Sequence, residues 1–166
     1  MGYKKVAQYM FGLFIDPPPI MMPDGTLKTE RHHKHGWLCF SLPEQRDVAL
    51  LALASRWAYL WWMMYGDEFD VTKSVLTAFP GGVDRLLASA HRRPLLELAQ
   101  NLQEELVRHL KWKANAGLRV GRYDLRECRH ITDEADWLLA QAWGLTREQY
   151  EAAGNLRDRM TFGSRD

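Results

Sequence analysis

The chain has 166 residues, a hydrophobic share of 46% and a formal net charge of +1. This length predicts a single domain, residues 1–166, and the near-neutral charge excludes a protein that binds polyanions through a global cationic field, so any nucleic-acid contact must be local. Cys39 and Cys128 lie far apart with no C-x-x-C spacing, which indicates neither a zinc ribbon nor a disulfide framework and favours a reducing cytoplasm.

Residues 1–42 predict a small sheet with turns. Val6 to Ile15 mixes aromatic and small residues, and Asp16 to Pro19 excludes helix because proline lacks an N–H and fixes φ. Pro23 to Gly25 predicts a turn. Trp37 to Phe40 predicts a short apolar strand that ends before Pro43.

Residues 43–113 predict the helical core. From Pro43 to Met64 apolar residues run almost all round one helix, which is typical of a central buried helix. We expect no membrane span over Val48 to Tyr65, because Arg56 in the middle of that segment costs roughly 2.5–3.5 kcal/mol on insertion. A loop with a short helical turn follows over Asp67 to Pro80.

A second core helix is predicted from Pro94 through Trp112. Its leucines recur at three- and four-residue steps, which is the period of an amphipathic helix. These leucines are Leu95, Leu98, Leu102, Leu106 and Leu110.

Residues 114–131 predict a basic connector, in which DNA contacts are expected. Cations outnumber acids in and around it. The acids are Asp124 and Glu127, and the cations are Arg108, Lys111, Lys113, Arg119, Arg122, Arg126 and Arg129. Arginine forks suit phosphate oxygens and guanine edges, and Gly117 and Gly121 would allow close backbone approach. The alternative is a solvated loop whose arginines pair with the acids that follow it, Asp133, Glu134 and Asp136.

Residues 132–166 predict a C-terminal helical pair. Thr132 or Asp133 can cap a helix that stops at Gly144. Thr146 and Gln149 form a capping box for a second helix, which runs to about residue 159. The whole chain therefore predicts an α+β, mostly helical fold, in which a small N-terminal sheet and turn region precedes a helical bundle.

Asp16 to Pro19 comes close to the [Asn/Asp/Ser]-Pro-Pro-aromatic motif with which amino-methylating DNA methyltransferases hold a flipped base. Pro19 stands where the aromatic ring is needed, and no glycine-rich loop for a nucleotide-like cofactor precedes it. A rigid polyproline turn is favoured, and no cofactor is expected.

Histidines and a cysteine provide two weaker candidates. His32, His33 and His35 could suggest a metal site, but adjacent side chains of an extended strand face opposite ways, so a solvated loop is favoured. Arg129 could lower the pKa of Cys128, yet no base is placed beside that thiol, which favours a structural cysteine. No metal ligand and no catalytic residue are expected.

Three segments resemble the C-terminal target-recognition and helical region of large adenine-N6 DNA methyltransferases. The related proteins are type IIG-like restriction–modification enzymes and phage-defence methyltransferases. The segments are Asp67 to Pro80, Asn115 to His130, and Ile131 to Asp136 followed by Gly144-Leu-Thr. The similarity extends from about Asp16 to the end of the chain.

The resemblance implies a DNA-recognition or accessory module that has DNA and a catalytic methyltransferase subunit or segment as its partners. The catalytic motifs of those enzymes are missing, so the chain is not expected to be an enzyme. Six side chains are predicted as DNA contacts, the cations for phosphate or base edges and the tyrosine for stacking. They are Lys73, Arg119, Arg122, Tyr123, Arg126 and Arg129.

A second hypothesis is a protein–protein module that docks on a larger methyltransferase or helicase without touching DNA. Exposed Trp61, Trp62 and Trp112 would favour it, because aromatic side chains are enriched at interfaces.

Overall fold

The computed structural model describes residues 1–6, 11–30, 33–67, 69–115 and 117–162, with side chains as far as residue 155. The fold is α+β and mostly helical, and a set of N-terminal strands precedes the first helix, as predicted. The strands are β1 (Gly2–Lys4), β2 (Leu13–Phe14), β3 (Ile20–Met21), β4 (Leu27–Lys28), β5 (His35–Trp37), β6 (Lys111–Asn115) and β7 (Leu118–Arg122). The helices are α1 (Pro43–Ala54), α2 (Arg56–Tyr65), α3 (Lys73–Ala78), α4 (Val83–Ala88), α5 (Arg92–Arg108), α6 (Arg129–Ala142) and α7 (Arg147–Phe162), with a 3₁₀ helix at Leu125–Cys128.

The first sheet has the antiparallel order β2-β1-β5. Tyr3 lies opposite Leu13 on one side and Gly36 on the other. Glycine is required at position 36, because a Cβ there would lie 2.0 Å from the Tyr3 ring. The strand predicted over residues 37–40 is shifted towards the N-terminus: β5 spans His35–Trp37, and the last bond of its ladder runs from the Leu38 N–H to the carbonyl of Met1.

The second sheet joins two hairpins in the order β4-β3-β7-β6. Pro23 to Gly25 forms the predicted turn between β3 and β4, where Gly25 has a φ of +84°. The proline run leads into β3 without helix, and the Pro19 carbonyl accepts a hydrogen bond from the Gly121 N–H at 2.7 Å. A Cβ at Gly121 would lie 2.9 Å from that carbonyl, so this approach depends on glycine.

The predicted single helix from Pro43 to Met64 is two helices in the structure. Ser55 has extended backbone angles (φ −74°, ψ 161°) and caps α2, since its hydroxyl accepts from the Ala58 N–H. Asp136 of α6 adds a second acceptor at this helix start, 2.9 Å from the Arg56 N–H. The break therefore has a polar cause that includes a residue distant in sequence.

The helix α1 lies at the centre of the hydrophobic core, as a helix apolar all round predicts. It packs against α2, α4, α5 and α6, and Val48 to Ala54 are all buried. The predicted leucine stripe of α5 is confirmed by the buried residues Leu95, Leu98, Leu102 and Leu106. None of the helices that the structure describes is long and apolar enough to cross a bilayer.

The helix ends agree only partly with the predictions. Gly144 ends the first C-terminal helix with a φ of +78°, and the Thr146–Gln149 capping box is present, with bonds of 2.8 and 3.2 Å. The helix α6 starts at Arg129 rather than Thr132, because a 3₁₀ turn leads directly into it. The helix α5 ends at Arg108 instead of continuing through Trp112, which lies in β6.

Candidate nucleic-acid interface

The segment predicted as a basic loop contains a β-hairpin, which corrects that prediction. Strands β6 and β7 pair from Lys111 opposite Arg122 to Asn115 opposite Leu118, and Gly117 in the tight turn has a φ of +80°. Glycine adopts such an angle without strain because it has no Cβ. We call residues 111–122 the basic hairpin. It has no carboxylate, and its cations are Lys111, Lys113, Arg119 and Arg122.

The two faces of the second sheet differ in chemistry. Opposed residues of antiparallel strands share a face, and neighbours along a strand alternate. One face, the cationic face, carries Lys28, Lys111, Lys113 and Arg122. The other, the tryptophan face, carries Met21, Leu27, Trp112 and Arg119. There the Arg119 guanidinium lies 5.7 Å from the centre of the Trp112 ring and 4.0 Å from the Met21 sulfur.

Part of the charge on the cationic face is not neutralised within the protein. Lys113 and Arg122 form no ion pair with any residue in the described ranges, whereas Lys111 binds Asp124 and Glu127. Lys4 of the first sheet lies near them: burial lowers its pKa, and the positive charges of Arg122 and Lys113 lower it further. The Asp124 carboxylate raises the pKa of Lys4, but positive charges exceed negative ones here, and such an excess favours an anionic partner.

Asp124 anchors the base of the basic hairpin. Its carboxylate is 5% exposed and accepts hydrogen bonds from Arg126 Nε at 2.9 Å, Arg126 Nη2 at 2.7 Å and Lys111 Nζ at 3.2 Å. These bonds, those from Arg126 first, hold the pKa of Asp124 far below its usual range. Asp124 therefore ties the start of β6 to the 3₁₀ helix that follows β7.

Replacing Asp124 with asparagine is expected to lower the free energy of unfolding at neutral pH by about 1–3 kcal/mol, because the variant loses charge-assisted bonds to a buried carboxylate. The folded-state pKa lies below the unfolded value of about 3.9, so this stability is present above about pH 4 and is lost as the pH falls. Urea unfolding across that range should show a steeper acid loss in the unmodified protein than in Asp124→Asn. The exposed Glu127→Gln, which shares the Lys111 partner, is the control and should show a smaller change. Equal pH slopes in the unmodified protein and Asp124→Asn would contradict the anchoring role.

The structure does not bring the six predicted contact residues together. Arg119 and Arg122 lie on the same strand but on opposite faces. Lys73 begins α3 and lines a cavity that includes no residue of the basic hairpin. The predicted set is thus divided between separate parts of the surface.

The remaining three predicted residues have partners inside the protein. Arg129 Nε lies 3.4 Å from Asp133, so the alternative of arginines paired with the acids after the connector holds for Arg129, whereas Arg126 binds Asp124 inside the connector. The Tyr123 ring is half-buried with its centre 6.3 Å from that of Phe14, and burial raises its pKa. These three are less available to a ligand than Arg122.

Sequence reasoning missed Lys28 and Lys113 as members of the cationic face and Lys4 as its neighbour. A signal for Lys113 was present: Lys-Trp-Lys and Leu-Arg-Val-Gly-Arg alternate in polarity on both sides of a short stretch that ends in Gly117, which is typical of a hairpin. Lys28 and Lys4 had no such signal, because their proximity to the hairpin depends on strand pairing across the chain.

The other candidate sites have structural explanations. Cys128 is fully buried, and burial raises its pKa to about 11, which is consistent with a structural cysteine. His35 packs against the Phe14 ring, with ring centres 4.9 Å apart, while His32 lies outside the described residues. Within the described ranges no group of three or more histidine, cysteine or acidic side chains could hold a metal ion.

The chain matches no protein-family model, no curated protein and no solved structure.

Proposed function

We propose that the chain is a DNA-recognition or accessory module that binds duplex DNA through the basic hairpin. The observation that carries this proposal is the pair Lys113 and Arg122, which lies on one face of the basic hairpin without a carboxylate partner in the described ranges. Lys4 and Lys28 extend the same positive region. A local region suffices, although the net charge of the chain is only +1.

The basic hairpin is the β7-β6 side of a four-stranded sheet, and strands serve as reading elements in several DNA-binding folds. Lys113 and Arg122 would contact phosphates, which position the protein. Arg119 lies on the opposite face, beside Trp112, so it does not share this phosphate contact.

The restriction–modification context is a proposal that rests on the sequence resemblance alone. In it, the module serves an adenine-N6 DNA methyltransferase whose catalytic subunit or segment supplies the cofactor site. The chain itself chooses or holds DNA and does not methylate it. Two unpaired cysteines, Cys39 and Cys128, suit the reducing cytoplasm in which such enzymes work.

The double variant Lys113→Gln/Arg122→Gln tests the DNA proposal. If both side chains contact phosphate, the slope of log K against log salt should become less negative by about 2, which corresponds to about 30-fold weaker binding at about 0.15 M salt. Fluorescence anisotropy of a labelled duplex, titrated with protein at several salt concentrations, measures both quantities.

Arg93→Gln/Arg147→Gln is the matched control, since it removes the same charge from two exposed helical arginines that pair with Glu97 and Glu151. It should leave the affinity within about twofold and the salt slope unchanged, because those side chains lie outside the proposed interface. Equal losses in both double variants, or salt-independent binding by the unmodified protein, would contradict the proposal.

A second candidate function is docking on a larger methyltransferase or helicase. It is favoured by three exposed apolar residues near the end of α2: Met64 (60%), Tyr65 (63%) and Phe69 (62%). Methionine and aromatic side chains are enriched at protein–protein interfaces. The hairpin experiment separates the two functions. If the chain only docks on a protein, Lys113→Gln/Arg122→Gln should not change its affinity for duplex DNA.

A further inference from the structure

A cavity of about 410 Å³ lies between α1, α3 and the segment that follows β5. Its volume falls within the range of about 300–1,000 Å³ that is common for small-molecule sites. The space exists partly because α1 presents the small side chains of Ala49 and Ala52 to it. It is separate from the proposed DNA interface, since it includes no residue of the second sheet.

The walls of this cavity are mainly apolar. Phe40, Leu76 and Phe79 contribute large side chains, and no aspartate or glutamate lines the cavity. Such walls favour an apolar ligand, because burying apolar surface contributes about 25 cal/mol for each Å² removed from water.

Lys73 supplies the only full charge in the lining. It is exposed and forms no ion pair with any residue that the structure describes. Its ammonium can therefore receive an anionic group while its aliphatic stem continues the apolar wall. The hydroxyl of Thr77, which also lines the cavity, already donates to the carbonyl of Lys73.

We propose that this cavity binds a small molecule with an apolar body and a carboxylate at one end. The body occupies the space between Phe40 and Phe79, and the carboxylate binds the Lys73 ammonium at the opening. Such binding does not depend on the proposed DNA function, because the two regions share no residue.

Cys39 provides a reporter of occupancy. It is a free, exposed thiol that lines the cavity, whereas Cys128 is fully buried. Burial raises the pKa of Cys128 to about 11, so little of its reactive thiolate forms near neutral pH. Alkylation of the native protein by iodoacetamide therefore reports Cys39, and a ligand in the cavity should slow it.

The test compares decanoate with decanol, which has the same chain length and no charge, both below the concentration at which decanoate forms micelles. Decanoate is expected to slow Cys39 alkylation saturably and by at least about fivefold, and decanol less. Lys73→Met should lower the affinity for decanoate about fivefold, because it loses one exposed ion pair. Lys73→Arg should retain the affinity. Thr77→Trp, which fills the opening from an exposed helix position, should abolish the response to decanoate.

Circular dichroism and denaturant unfolding of each variant show whether it is folded, and each rate is compared with and without ligand in the same variant. Equal protection by decanoate and decanol, or unchanged decanoate affinity in Lys73→Met, would overturn the role of the carboxylate. Absence of protection by either compound, or protection that persists in Thr77→Trp, would overturn the cavity as the site.

Discussion

Replacement of Asp136 by alanine is expected to lower the free energy of unfolding by about 3–5 kcal/mol. The Asp136 side chain is 1% exposed and that of Arg56 is 10% exposed. Asp136 accepts from Arg56 Nε at 2.7 Å and from the Arg56 backbone N–H at 2.9 Å. Alanine would leave the buried arginine charge with only the more exposed Asp133, 3.7 Å away, and would remove an acceptor from the start of α2. Chemical denaturation measures the loss.

The cost of breaking this pair is expected to exceed its net contribution. Burial raises the pKa of Asp136 to about 6 despite the bonds from Arg56, which shows how costly desolvation of this carboxylate is. Arg56→Leu/Asp136→Leu should therefore be less destabilising than the sum of its single replacements. Asp133→Ala is the control, because Asp133 is 41% exposed and lies 3.7 Å from Arg56. A loss below about 1 kcal/mol in Asp136→Ala would contradict the assignment of a buried, partnered charge.

Replacement of Trp62 by alanine is also expected to lower the free energy of unfolding by about 3–5 kcal/mol. Trp62 is 1% exposed, its ring is edge-on to Phe11 at 5.7 Å, and its Nε1 donates to the Asp70 carbonyl at 2.9 Å. Alanine would leave a cavity in the core and an unpaired carbonyl. Urea unfolding followed by circular dichroism is the appropriate measurement, because it does not depend on tryptophan fluorescence.

Trp112→Ala is the matched control, since Trp112 lies on the tryptophan face and is only partly buried. Trp112→Ala should lower the free energy of unfolding by about 1 kcal/mol or less. Similar losses in both variants would show that the two tryptophans have the same environment.

The structure corrects the docking hypothesis in one respect. Trp62 is a core residue, and Trp61 is partly buried with its Nε1 bonded to the Val75 carbonyl.

The features predicted correctly from sequence depend on residues close together in the chain. The capping box needs only Thr146 and Gln149, and the glycine stop needs only the left-handed angle of Gly144. The period of the leucines in α5 likewise predicted which of its faces is buried.

The errors arose where a distant residue or a competing pattern decided the outcome. The break at Ser55 is reinforced by Asp136, which is 80 positions from Arg56. The helical period of the leucines continues to Leu110 and predicted a helix through Trp112. The residues from Lys111 onwards form β6 instead. Composition alone then suggested a loop, although the hairpin signal ending in Gly117 was local and could have been recognised.

By itself the sequence determined the fold class, the burial of the helical residues Val48 to Ala54 and the concentration of cations between residues 108 and 130. Only the tertiary structure decided which of those cations are neutralised. Arg126 and Arg129 pair with acids two and four positions away, but Lys111 reaches Asp124 and Glu127 only through the hairpin, and Lys113 and Arg122 have no carboxylate partner within the described residues. The physical reason is that an ion pair requires two atoms within about 4 Å, and for residues more than about one helical turn apart the packing of separate elements sets that distance.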